Sequence, residues 1–245
     1  MNPVAKLAAV LVIALPLVVT IDPVSAATAL VLEVPLLATA GLSWRAFWTR
    51  TAPVWIAAPL VALTIALYGQ TSGAVLFEWV FVRVSEGSLL LALATGLRIL
   101  AIGLPAVVLF ATVDATELAD GLAQLVRLPA RFVLGALAGM RLMELLGDDW
   151  RALALARRAR GVADHGRIRR VLGMAFALLV LSVRRGSALA TAMEARGFGG
   201  PTPRTWARPS RFHVRDALLL AYAALIPAAA LTAAILTGAW HPVFA

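Results

Sequence analysis

The sequence has no cysteine, one lysine (Lys6), two tyrosines and three histidines (His165, His213 and His241). Without cysteine there is no disulfide, no thiol nucleophile and no thiolate metal site. The histidines sit far from one another and outside the apolar blocks, so they form no ligand or acid–base pair by spacing. No Gly-x-x-x-x-Gly-Lys-Ser/Thr phosphate loop occurs, so the chain has no nucleotide cradle of that type. Charge is scarce as well. Only 14% of residues are charged, where a soluble domain carries about a quarter.

Apolar residues fill the gap, at 61% of the chain with a mean hydropathy of +0.88. They are gathered in long blocks, as a bilayer solvent requires. A spanning helix needs roughly 20 mainly apolar residues, about 17–25. Five blocks qualify: Val4–Ile21, Val24–Leu42, Ala52–Tyr68, Ser88–Val113 and Asp216 to about Trp240. Asp22-Pro23 separates the first two, and Glu33 and Pro35 interrupt the second. "SWRAFWTR" (43–50) mixes Trp44, Phe47 and Trp48 with Arg45 and Arg50, the composition of an interfacial anchor. "AVLFEWVFVRV" (74–84) is β-branched, aromatic and bounded by glycine, and reads as a short extended segment outside the membrane. The first block also admits a signal-peptide reading, with Val24-Ser25-Ala26 as the small-residue cleavage site.

The net charge of +9 is concentrated. Residues 113–215 hold 17 arginines against 8 acidic residues, which accounts for all of it. Between two spans, such a segment is a topology signal, a lipid contact or a docking face for an acidic partner. No aromatic platform is interleaved with the arginines, which argues against nucleic acid. The positive-inside rule places Lys6, Arg45, Arg50 and the basic segment in the cytoplasm, and Arg83 outside. The N-terminus is then cytoplasmic, the chain is a multi-pass protein of the cell membrane, and the C-terminal "WHPVFA" is extracytoplasmic. The expected architecture is all-α: a membrane domain of four spans (1–113), a cytoplasmic domain (114–213) and a last span (214–245).

Within the cytoplasmic segment, Asp114 three residues before Glu117 reads as a helix N-cap rather than as a metal-binding cluster with Asp120. Pro129 suits a helix start. A proline-free run follows to Arg160, with Phe132, Ala136, Met140, Met143, Leu146, Trp150 and Leu153 on one side. Gly135 and Gly139 form a GxxxG that would let a second helix cross closely. "GVADHGR" (161–167) breaks the run, and a second long helix extends from Ile168 to about Arg196. Its block "VLGMAFALLVLSV" is 13 residues long, too short to span, so this helix is expected against the first one or on the membrane surface. Arg98, inside the fourth block, is costly in lipid and should face protein or a cavity.

Both long helices end in the same tripeptide, Ala159-Arg160-Gly161 and Ala195-Arg196-Gly197. Glycine at C′ ends a helix in the left-handed conformation, and arginine beside it faces the negative end of the dipole. The result is either two C-caps and nothing more, or two slim cationic tips that fork onto carboxylates or carbonyls of a partner.

The span order, "TELADGLAQLVRLP" (116–129), the helix running to "RARG" (158–161) and "AMEARGFGG" (192–200) ahead of a final span resemble one family. It is the transmembrane T component of energy-coupling factor (ECF) transporters, which includes the membrane subunits of cobalt and biotin importers. "LRI" in the fourth block, followed by Thr112-x-x-x-Thr116-Glu117-Leu118, fits the same pattern. The resemblance implies two long crossed coupling helices plus a short one, and two ABC-type ATPases that receive Arg160 and Arg196, one each. It implies a separate substrate-binding membrane subunit for a vitamin or metal ion, and no cofactor in this chain, since partners bind the ATP. The dense "ARRAR" before the first tripeptide leaves open whether Arg157 and Arg158 share the docking. A conventional ABC permease with its own substrate path is the alternative. An intramembrane lipid-modifying enzyme is a weaker one, since Asp120-Gly121 lacks the further spaced aspartates such chemistry uses.

Overall fold

A computed structural model describes residues 1–69, 72–79, 82–161, 166–200 and 205–240; of residues 76–79, 82, 83 and 167 only the backbone is described. His165 and residues 241–245 of the C-terminal expectation lie outside this set. The chain forms eight described helices: α1 (Pro3–Val19), α2 (Pro23–Thr39), α3 (Trp44–Tyr68), α4 (Glu86–Phe110), α5 (Ala115–Gln124), α6 (Ala130–Ala159), α7 (Arg167–Ala195) and α8 (Val214–Leu236). The fold is all-α apart from one antiparallel hairpin, β1 (Val75–Trp79) and β2 (Val82–Ser85), at the segment expected to be extended. Two compact units result: Met1–Leu118 with Arg211–Ala245, and Ala119–Ser210.

The first unit is the membrane bundle. α1 packs on α8 and α4, α2 on α4 and α8, and α3 on α4. Ala9, Ile13 and Leu17 of α1 meet Ala29 and Leu36 of α2, Ala101 of α4, and Ala223, Ile226 and Ala230 of α8 in one buried core. Outward residues such as Leu15, Val31, Ile56 and Leu225 are more than half exposed, the surface that hydrocarbon would cover. Trp44, Phe47 and Trp48, in the segment whose composition is that of an interfacial anchor, cluster with Trp55 along the start of α3, with ring centroids 5.5–6.3 Å apart.

Helix starts follow sequence chemistry. Asn2 caps α1, Asp22 caps α2 and accepts from Ser25 N at 2.5 Å, and Ser85 forms a capping box with Ser88 at the start of α4. Arg98 donates to the backbone carbonyl of Val18 in the last turn of α1. That carbonyl belongs to the group a helix end leaves unpaired, so the intramembrane guanidinium is matched to the negative end of a neighbouring helix.

The close approach between helices occurs in α4. A Cβ on Gly103 would stand 2.7 Å from Val54 Cγ1, and one on Gly96 3.2 Å from Ala62 Cβ. Around Gly135 and Gly139 a Cβ would meet no atom within 4 Å, so among the described residues no helix makes the crossing expected at that GxxxG. The pattern was read in the more polar helix; the pair seven residues apart in α4 is the one the packing uses.

By length and composition four helices are able to cross a membrane: α3, α4, α8 and α7. α1 and α2 have 17 residues each, about 26 Å of helix, the short end of the spanning range. α7 qualifies only with Arg184 and Arg185 inside its apolar window; its charge-free run is residues 171–183, about 20 Å.

Glu33 is fully buried on α2, and neither carboxylate oxygen is hydrogen-bonded among the described residues. Replacing it by leucine removes a desolvated polar group, so Glu33→Leu should stabilise the fold by on the order of 1–3 kcal/mol and raise the melting temperature. Gly103→Leu overpacks the α3–α4 contact and should cost roughly 1–3 kcal/mol, whereas Gly139→Ala, in open space, should gain about 0.5–1 kcal/mol. Thermal melts of the purified proteins in one detergent rank the three; a Gly103→Leu protein as stable as wild type removes the close-packing assignment.

Candidate functional site

The second unit is built on α5, α6 and α7. Asp114 accepts from Thr116 N at 2.8 Å and Glu117 N at 3.0 Å, which makes it the cap of α5 rather than a free carboxylate. Ala119 and Ala123 of α5 then bury against Val133 of α6, with Leu137 and Trp206 beside them. α6 starts directly after Pro129 and runs 30 residues; α7 runs 29, so each rod is some 45 Å long.

The two rods lie antiparallel. The Arg185 guanidinium holds both oxygens of Asp149, with Nη2 3.2 Å from Oδ1. Further along, Arg157 lies against Gly173, where a Cβ would stand 3.1 Å from its Nη2. As the α6 number rises from 149 to 157, its α7 partner falls from 185 to 173. Met174 is the buried residue of this contact, lining a small hollow with Trp150, Ala154, Arg158 and Arg170. Among the described residues the contacts of the crossing are the ion pair, the Arg157 guanidinium over Gly173 and buried Met174, and none of them involves Gly135 or Gly139. Arg157 is half-buried in it, while Arg158 is exposed.

The ends are alike. Arg160 and Arg196 are the C-cap residues, at φ −88° and −89°, followed by Gly161 at φ +71° and Gly197 at φ +74°. After α7, Phe198 N donates to Met193 O at 3.0 Å and Gly197 N to Glu194 O at 2.9 Å, the paired bonds of a Schellman motif. After α6, Gly161 N donates to Arg158 O at 3.0 Å, the equivalent inner bond. Ala159, Arg160, Gly161, Ala195, Arg196 and Gly197 are all exposed. Neither Arg160 nor Arg196 has a side-chain hydrogen bond or ion pair among the described residues. The Arg196 tip borders an open cleft of about 1100 Å³ lined by Arg131, Arg141, Leu145, Met193 and Phe198. Since Arg196 sits beside the first half of α6, and Arg160 ends α6, the tips lie at opposite ends of the pair, roughly 30–40 Å apart by helix rise.

Of the two settings expected for α7, burial against the first rod is met only around Met174: Ile168, Leu172, Phe176, Leu179 and Val183 are 59–77% exposed, which leaves an apolar face for lipid or protein. The stripe on α6 is partly bare too, with Phe132 and Met143 mostly exposed. Reasoning from sequence did not pair Asp149 with Arg185; the signal was a lone acid–base match 36 residues apart, one of many possible.

A polytopic helical bundle joined to a hairpin of two cation-tipped rods is the architecture of a membrane transport subunit. The family model described as "Cobalt transport protein" (CbiQ) matches residues 1–206. The energy-coupling factor transporter transmembrane protein EcfT of Bacillus selenitireducens is 27% identical over 252 residues, covering 97% of this chain and 93% of that one. The EcfT of Exiguobacterium sibiricum is 30% identical over 168 residues, covering 64% of each, and that of Limosilactobacillus fermentum 27% over 195 residues, covering 74% of this chain and 72% of its own. The chain belongs to the CbiQ family and is a transmembrane T component of the ECF transporter type.

The Arg185–Asp149 pair sets the rods against each other from partly exposed side chains, 37% and 20% exposed. A double-mutant cycle with Arg185→Ala and Asp149→Ala should return a coupling of about 1 kcal/mol, smaller at high salt. A coupling of zero at low salt would remove the pair from the crossing.

Proposed function

We propose that the chain transmits ATP-driven motion from two ABC-type ATPases to a separate substrate-binding membrane subunit, for uptake of a vitamin or metal ion. The observation that carries this reading is the pair of exposed Arg–Gly helix ends, alike in backbone geometry and set at opposite ends of one antiparallel hairpin. A motif present twice, at points far apart, suits a partner present twice. Each guanidinium, held at the C-cap with its stem beside a bare glycine, has room to fork onto carboxylates or backbone carbonyls in a groove. Binding and hydrolysis of ATP belong to those partners, and this chain performs no chemistry of its own.

The membrane unit supplies the anchorage. The N-terminus and the second unit are cytoplasmic, and the end of α8 is extracytoplasmic, a reading the arginine distribution supports. The bare apolar face of α7 suits contact with lipid or with the substrate-binding subunit. When the ATPases close, the two tips are displaced, and the exposed faces of α6 and α7 carry that displacement to the subunit resting on them.

The test is assembly. Purified from its own membranes, the wild-type chain should carry both ATPases and one further membrane subunit. Arg160→Ala/Arg196→Ala should lose the ATPases, with the chain still folded and recovered at normal yield, and each single variant should be intermediate. Both ATPases retained at wild-type ratio in the double variant would rule out the docking role.

A further inference from the structure

Two segments connect the units, one at Leu118–Ala119 and one at Ser210–Arg211. In the membrane unit both are fastened to the start of α1. Lys6 Nζ donates to Thr112 O at 3.0 Å and to Thr112 Oγ1 at 2.7 Å, just after α4. The Asn2 side-chain amide donates to Arg211 O at 3.2 Å, and the Asn2 backbone N–H to Asp216 Oδ1 at 2.7 Å. Asp216 is fully buried in the first turn of α8, and its Oδ2 accepts from His213 N at 2.9 Å. One short stretch of chain thus holds the outgoing segment through Lys6 and the returning one through Asn2 and Asp216.

The coupling unit repeats the arrangement with one side chain. Gln124, the last residue of α5, donates from Nε2 to Arg208 O at 2.8 Å and accepts from Ser210 N at 2.8 Å through Oε1. Both ends of the amide are used, so the outgoing helix and the returning segment are clamped bidentately. α5 is itself seated by Ala119 and Ala123 in the small core with Trp206. Connecting segments that serve only as flexible links satisfy their backbone with water; here side chains from remote parts of the sequence do so on each side.

We propose that Lys6, Gln124 and Asp216 are positioning residues that make the two connections move as one. A displacement of α6 and α7 then reaches α1, α4 and α8 together, instead of being absorbed by independent bending of two loose links. The proposal rests on the coupling function above, and adds to it the residues through which the chain transmits.

The complex, purified with its ATPases and substrate-binding subunit and placed in proteoliposomes, allows ATP hydrolysis and uptake of radioactive Co²⁺ and tritiated biotin to be measured side by side. Gln124→Leu keeps the side-chain volume without the amide, and Lys6→Met keeps the stem without the cation. Both should assemble and hydrolyse ATP within about twofold of wild type, while uptake per ATP falls about fivefold or more. Gln124→Glu, which keeps the acceptor for Ser210 N and loses the donor to Arg208 O, should fall between. A purely structural defect would lower yield, hydrolysis and uptake in parallel, and that result overturns the proposal, as does an unchanged ratio in both variants. A wild-type complex that lacks ATPases, or takes up neither probe, overturns the coupling function instead.

Discussion

An α-helix that ends in water or against lipid leaves its last carbonyls without partners, and α6 and α7 resolve this in the same way. The chain turns into the left-handed region at Gly161 and Gly197, and the amides of these two glycines fold back onto the final turn. Only glycine takes that conformation without a steric penalty. The arginine before each glycine is thereby fixed at the edge of the rod, with its side chain uncommitted among the described residues. The exposure of each cation and its place at the very end of its rod descend from these two turns.

The membrane bundle answers to a different constraint. Apolar side chains gain little from leaving lipid for one another, so its helices depend on close contact and on meeting every backbone and polar group from within. Gly96 and Gly103 let α3 approach α4, Tyr222 donates to Leu32 O, Arg50 to Ala111 O, and Arg98 to the end of α1. Glu33 stands apart, buried with neither oxygen bonded among the described residues.

Local features were the legible ones. Pro129, Gly161 and Gly197 mark helix limits by backbone chemistry that acts over a few residues, and the observed ends fall there. Asp114 and the aromatic group at Trp44–Trp48 were readable for the same reason. The pairings that depend on tertiary placement were not. Gln124 meets a segment 84–86 residues away, and Asn2 one 214 away. Nothing in the neighbourhood of either residue names its partner. The GxxxG at Gly135 shows the converse: the residue spacing was correct for a close crossing, yet the small surface faces open space. The tripeptides were visible as repeats, but their setting at opposite ends of the hairpin needed the Asp149–Arg185 and Arg157–Gly173 contacts.

The Schellman turn after α7 uses only main-chain atoms to hold Arg196 in place. Side chains on the flanks of the rod are therefore free to drift over evolutionary time without moving the cation. A tip specified in this manner is portable: the same fitting can end a rod of unrelated surface chemistry with its cation in the same place.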